Sequence, residues 1–188
     1  MTDVTENDLR AAVKALTDVI APAISKADPL ALEQLRLVTE SLEFIRSRLD
    51  DFYDRDYFDL NHHLEMARLL QAMSLPLTEP TQALLGRTVG VGDEVSRTPG
   101  ASSRDLKTAT AGLAAAVRLI VRESTTMPAD RRDKVERCVL SASRSRIAVD
   151  RAWFLPMGFD PEPDKVSPLS DVLGPRNGDQ RCLTQAAQ

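Results

Sequence analysis

Apolar residues recur three and four positions apart in five stretches of this chain, and nowhere does an apolar–polar alternation run for more than a few residues. That spacing marks helices with one dry face and leaves no material for a sheet. The 188 residues therefore predict an all-α bundle of four or five helices. One domain of this length buries about 70% of the surface its unfolded form would expose. The domain is expected over residues 1–155, followed by an extended Pro-rich C-terminal tail over 156–188, where five of the eleven prolines fall.

The first helix is expected from about Glu6 to Lys26, with Leu9, Val13, Leu16, Ile20 and Ala23 on its apolar side and Pro22 bending it or ending it early. Asp28 and Pro29 read as an N-cap and a first helical residue. The second helix should run from there to Asp54, with Leu35, Val38, Leu42, Ile45, Leu49 and Phe52 along one face and a break near residues 55–59. The periodicity resumes from Leu60 to Met73, as a third helix or a kinked continuation.

Ser74 to Arg104, with three prolines and four glycines, reads as a long connection holding only a short helical piece near Thr81–Leu85. Its Gly86–Gly92 run lacks the ending of a phosphate loop. Ser102 or Ser103 can cap the next helix, which carries Leu106, Leu113, Val117 and Ile120. In the last helix Val135, Cys138, Ala142, Ser145, Val149 and Ala152 form a seam of mostly small residues, expected to pack against a close neighbour in the same chain or in a symmetric partner. Trp153, Phe154 and Phe159 are expected to anchor its end.

A net charge of −4 and 4% aromatic residues argue against a nucleic-acid partner, and the charge argues against an anionic membrane surface. The longest near-apolar run, Ala111–Val117, is too short to span a bilayer. Cys138 and Cys182 form no C-x-x-C pair, which suits a reducing, cytoplasmic setting.

Read as one helix, residues 29–54 place Glu40, Glu43, Ser47, Asp50, Asp51 and Asp54 in an arc of about 100°. Within it Asp50, Asp51 and Asp54 spell D-D-x-x-D, which resembles the first aspartate-rich motif of the class I isoprenoid synthases; no second such motif follows. Glu40-x-x-Glu43 with Asp56-x-x-Asp59 resembles the paired acidic motifs of the all-α nucleoside triphosphate pyrophosphatases of the MazG and dimeric dUTPase group, with Asp56 where that family has glutamate. The first resemblance implies magnesium on Asp50, Asp51 and Asp54 and the second magnesium on the Glu40/Glu43 and Asp56/Asp59 pairs; a hydrolase built on the whole stripe would hold Mg2+ or Mn2+ with Glu40, Glu43, Asp50, Asp51 and Asp54 and place Arg144 and Arg146 on phosphate. Asp59-x-x-His62 echoes ferritin-like di-iron ligation, but His62 and His63 are the only histidines and no second motif can be built.

The plainer reading of the stripe is a solvated or partner-facing surface. Residues 130–151 carry a net +3 and residues 40–65 a net −5, so these segments can pair within one chain or between two. The leading expectation is a non-catalytic cytoplasmic protein, without cofactor, that works by self-association or partner binding, most simply as a homodimer. The alternative is a divalent-metal-dependent nucleotide or diphosphate hydrolase.

Overall fold

The structure, a computed structural model, describes residues 4–174 and is all-α. Among the described residues there are seven helices and no strands, more than the four or five expected. Helix α1 is a continuous run of an α-helical Val4–Ala15, a π segment Leu16–Ile20 and a last α turn Ala21–Ala23. It is followed by α2 (Pro29–Ser47), α3 (Phe52–Ala72), α4 (Glu79–Arg97), α5 (Ser103–Ser124), α6 (Ala129–Phe154) and the short α7 (Leu169–Leu173). The described residues group into two compact units: one holds residues 4–52 together with Phe154–Pro163, the other holds Tyr53–Trp153 and residues 164–174.

Residues 53–153 contain the core. Leu60, Leu64, Ala67 and Leu70 of α3 meet Leu85 and Val89 of α4, Leu106, Leu113, Ala116 and Ile120 of α5, and Val135 of α6. Side chains at this spacing sit on one face of each helix, and their burial supplies most of the driving force for folding. Helices α4 and α5 approach closely because glycine occupies both sides of the contact. A Cβ on Gly92 would lie 3.1 Å from Leu113 and Leu64, and one on Gly112 would lie 3.4 Å from Thr88.

Three sequence expectations are corrected here. The stretch read as a long connection is mostly helix α4, built on Thr81, Leu85, Val89 and Gly92 as its buried face. A threonine and a glycine stand in for two of the apolar residues that would have marked it. The second helix does not reach Asp54: it ends at Ser47, Arg48 takes φ −115° and ψ 0°, and a 3-10 turn over Leu49–Asp51 leads into α3. The break therefore precedes residues 55–59, which are helical. The first helix ends at Ala23 rather than Lys26, and widens to a π turn just before Pro22. Proline clashes with the carbonyl four residues back and has no N–H to donate, and the wider turn relieves both constraints.

The N-terminal capping residues were well marked. Asp28 accepts from the Ala31 N–H at 3.0 Å, and Ser102 with Asp105 forms a reciprocal capping box on α5. Helix α4 is capped from outside its own sequence: Glu123 of α5 accepts from the Thr78 N–H at 2.9 Å and from the hydroxyls of Thr78 and Thr81. A carboxylate there satisfies the Thr78 N–H and faces the positive end of the helix. Those hydrogen bonds hold the Glu123 carboxyl below its ordinary pKa.

Candidate association surface

The break at Arg48 decides what becomes of the acidic stripe. Glu40 and Glu43 stand on α2, Asp50 and Asp51 in the 3-10 turn, and Asp54 on α3, so no single wheel relates them. Arg36 bridges Glu33 and Glu40, and Arg46 pairs with Glu43 at 2.8 Å. The neutralising partners of the glutamates are thus arginines one turn away on the same helix. Among the described residues no group of three or more His, Cys, Asp or Glu is arranged to hold a metal ion.

The basic and acidic segments meet inside the unit built on residues 53–153. Arg146 of α6 contacts Asp59 of α3 at 2.9 Å and its own helix neighbour Asp150 at 3.3 Å. Arg55 of α3 pairs in the reverse sense with Asp150, lies 3.6 Å from Asp59, and stacks its guanidinium 5.1 Å from the Trp153 ring centroid. Arg55 is only 11% exposed, which makes this four-residue ring a bolt between α3 and α6 rather than a surface decoration. Arg146, expected as a phosphate contact, is occupied in that ring, while Arg144 is exposed. Among the described residues one acidic side chain is buried: Asp56, 8% exposed, pairs with Lys107 of α5 at 3.3 Å.

The small-residue seam of α6 divides by position. Val135, Val149 and Ala152 are buried, Cys138 and Ala142 are half-buried against the core cluster, and Ser145 is exposed. Burial raises the Cys138 thiol pKa, so it is a poor nucleophile. Cys182 lies outside the described residues, as does the tail beyond Gly174. Of the aromatic anchors, Trp153 is buried and Phe154 stacks on Phe44 at 5.7 Å, whereas Phe159 is 81% exposed.

Between α3 and α6 an open groove of about 620 Å³ is lined by Met66, Leu69, Met73, Lys134, Cys138 and His62, among others. Sequence spacing had offered no serine with a base, yet here Ser145 Oγ lies 3.4 Å from His62 Nδ1. The hydroxyl, however, donates to the Ala142 carbonyl at 2.9 Å, as mid-helix serines commonly do, which leaves it no proton to pass to the imidazole. Burial lowers the His62 pKa, with further lowering from His63 and Arg146, so the ring is neutral at pH 7.

The feature that sequence reasoning passed over is on the α1–α2 hairpin. The two helices run antiparallel, with Glu6 at the start of α1 lying 3.5 Å from Arg46 at the end of α2. Leu9, Val13 and Leu16 on α1 and Leu32, Leu35 and Leu42 on α2 are half-buried, yet no residue from Val4 to Ser47 is buried. On α2 a second arc remains open: Leu30, Gln34, Leu37, Val38, Ser41 and Ile45 fall within about 100° of one another and are all exposed. Leu30 is 69%, Val38 49%, Leu37 40% and Ile45 38% accessible. None of the six is charged, and the five charged residues of α2 all lie outside the arc. The π segment contributes as well: it turns Ile20 outward, 43% exposed, and gives the half-buried position to Ala21.

This is a face of four helical turns that water touches and no charge occupies, a surface of the kind that partners cover. No helix among the described residues is long and apolar enough to cross a membrane. Compared with protein-family models, with curated proteins and with solved structures, the chain matches none.

Proposed function

We propose that this protein is a non-catalytic, cytoplasmic association module, a homodimer whose contact is the uncharged face of the α1–α2 hairpin. The observation that carries the reading is the contrast within one chain. Residues 53–153 bury a full core, whereas the amphipathic hairpin has half-buried but no fully buried residues and leaves Val38, Ile45 and Ile20 partly in water. Two helices this short do not stabilise one another without a further apolar layer. The cytoplasmic setting is supported by two cysteines with no pairing motif, and the lack of a nucleic-acid partner by the net charge of −4.

The reading differs from one placing the contact along residues 135–152, because Val135, Val149 and Ala152 are already buried. It also leaves the charge complementarity of α3 and α6 to hold those two helices together. The test is the molar mass of the full chain by size exclusion with light scattering, across the micromolar range. The expected mass is twice the 20.7 kDa of the chain, falling toward one chain only on dilution. A mass of one chain at every concentration would overturn the proposal.

A further inference from the structure

Helices α3 and α6 run antiparallel and are tied together at both ends. At one end Ser145 Oγ lies 3.4 Å from His62, and just beyond it the ring of Arg55, Asp59, Arg146 and Asp150 joins the two helices. At the other end the Arg131 guanidinium donates to the Ser74 carbonyl at 3.4 Å. Between these ties α6 presents Cys138, Ser141 and Ala142, whose small side chains fill little of the space, and the open groove of about 620 Å³ remains. From His62 to Met73 it runs about 16 Å, at roughly 1.5 Å per helical residue.

The α3 wall is apolar and adaptable. Met66 is buried in it, Met73 is half-buried, and Leu69 stands 50% exposed at the mouth. Methionine conforms to irregular apolar shapes because its chain is unbranched and its sulfur polarizable. The positive charge is gathered at one end. Lys134 and Arg137 are neighbours on the surface of α6, at the Met73 end of the groove, and both are exposed. Among the described residues neither forms an ion pair, although Asp130 and Asp133 lie one turn away, whereas Arg132 on the same helix pairs with Glu136 at 3.7 Å. Arg137 gives its Nε–H to the Asp133 carbonyl at 3.2 Å, which leaves its terminal nitrogens to donate elsewhere. The lining carboxylate, Glu65, stands toward the His62 end, and His62, its pKa lowered by burial, adds no charge at pH 7. Two cations against one carboxylate leave the lining one positive charge, placed away from Glu65.

We infer that this groove binds one unbranched monocarboxylate, a medium-chain fatty acid, with its carboxylate between Lys134 and Arg137 and its chain laid over Met73, Leu69 and Met66 toward Ala142. The volume lies within the range of small-molecule sites, about 300–1,000 Å³. A chain in this place takes the open side of Leu69 out of water. The single surplus positive charge matches a monoanion, and a cationic head would meet two like charges. The groove belongs wholly to the unit of residues 53–153, so the site does not depend on any contact made by the hairpin.

The test is isothermal titration calorimetry of the full chain with dodecanoate, kept below its micelle-forming concentration, beside acetate and dodecyltrimethylammonium. One dodecanoate per chain is expected, whether the chain is single or paired, with no heat from acetate and at least tenfold weaker binding of the cation. Lys134→Gln combined with Arg137→Gln should weaken dodecanoate at least tenfold, because the charge-assisted contacts to its head are lost. Leu69→Glu should abolish binding by setting a carboxylate where the chain lies. Lys134 and Arg137 are exposed, so the double variant keeps the helical circular dichroism signal and decides the matter should Leu69→Glu perturb the fold. A chain that takes up no dodecanoate overturns the proposal. Equal binding of dodecyltrimethylammonium overturns it too, by showing a plain apolar surface. So does dodecanoate binding that survives the double substitution, which would place the ligand on another face, the hairpin arc included.

Discussion

Replacing Gly86 and Gly90 together by alanine should make the protein more stable, and the size of the gain follows from where those residues sit. Both lie inside α4, and a Cβ added at either would meet nothing within 4 Å. Glycine in a helix interior costs about 0.8–1 kcal/mol relative to alanine, because the unfolded chain is freer and the side chain adds no compensating contact. With no steric offset the two substitutions should add about 1.5–2 kcal/mol. The cooperative unit from Tyr53 to Trp153 holds roughly 100 residues, whose unfolding entropy is about 0.2 kcal/mol/K, so the melting temperature should rise by about 7–10 °C. Gly92→Ala is the internal control: its Cβ would press on Leu113 and Leu64 at 3.1 Å, and the overpacking should cancel or exceed the propensity gain. Thermal unfolding followed by circular dichroism at 222 nm measures all three variants. If residues 79–97 were the loose connection that their glycines suggest, the double variant would leave the melt unmoved and Gly90→Pro would be tolerated. Either result would refute the helix and the argument with it, since proline in a helix interior costs about 3 kcal/mol.

Three further outcomes are expected. Glu123→Ala, by uncapping α4, should cost about 1 kcal/mol in a denaturant titration. Because the folded-state pKa of Glu123 is lowered, its contribution is present above the unfolded pKa and lost as pH falls through the folded one, so the variant and the parent should converge in stability under acid and diverge at neutral pH. Arg55→Ala should cost about 2–3 kcal/mol by the same titration, less than a fully buried pair because its partners Asp59 and Asp150 are 21% and 38% exposed; no loss of stability would show that the α3–α6 ring is ornamental. Magnesium or manganese added to chelator-treated protein should leave the melting curve flat, and Asp51→Asn should melt as the parent does. A saturable rise lost in that variant would instead revive a metal site, since a ligand at 100 times its dissociation constant adds about 2.7 kcal/mol.

How far the residues alone disclosed this fold depended on what marked each boundary. Asp28 before Pro29, Ser102 before Asp105 and Pro128 after Thr126 are strong local signals, and the helices they open were legible. Arg48 was not. The segment Ser47–Asp51 holds neither glycine nor proline, and the apolar wheel of α2 continues to fit through Phe52, so nothing local announces the turn. Helix α4 failed for the opposite reason: Gly86, Gly90 and Gly92 look like breakers, and only packing against α5 explains Gly92. The sign complementarity of residues 40–65 and 130–151 was readable as a sum, but the pairing is local, and its most buried member, Arg55, belongs to the acidic segment. The uncharged arc went unread for a subtler reason. Val38 and Ile45 were assigned to the core face together with Leu35 and Leu42, and only the position of α1 separates the two pairs into a half-buried seam and an open one.

The π segment of α1 sets a constraint on how this chain can change length. One extra residue is accommodated between Leu16 and Ile20, and beyond it the inward places pass from the three-and-four series to Ala21 and Ile24. Deleting one residue between Leu16 and Ala21 would remove the extra residue and let the helix close into an ordinary α ladder, with those two positions four apart and still on one face. A single insertion has no second wide turn to absorb it and would rotate everything N-terminal to it by about 100° relative to Ala21, swinging Leu9 and Val13 away from α2. Single deletions in this segment should therefore be borne far better than single insertions, an asymmetry imposed by helical phase alone.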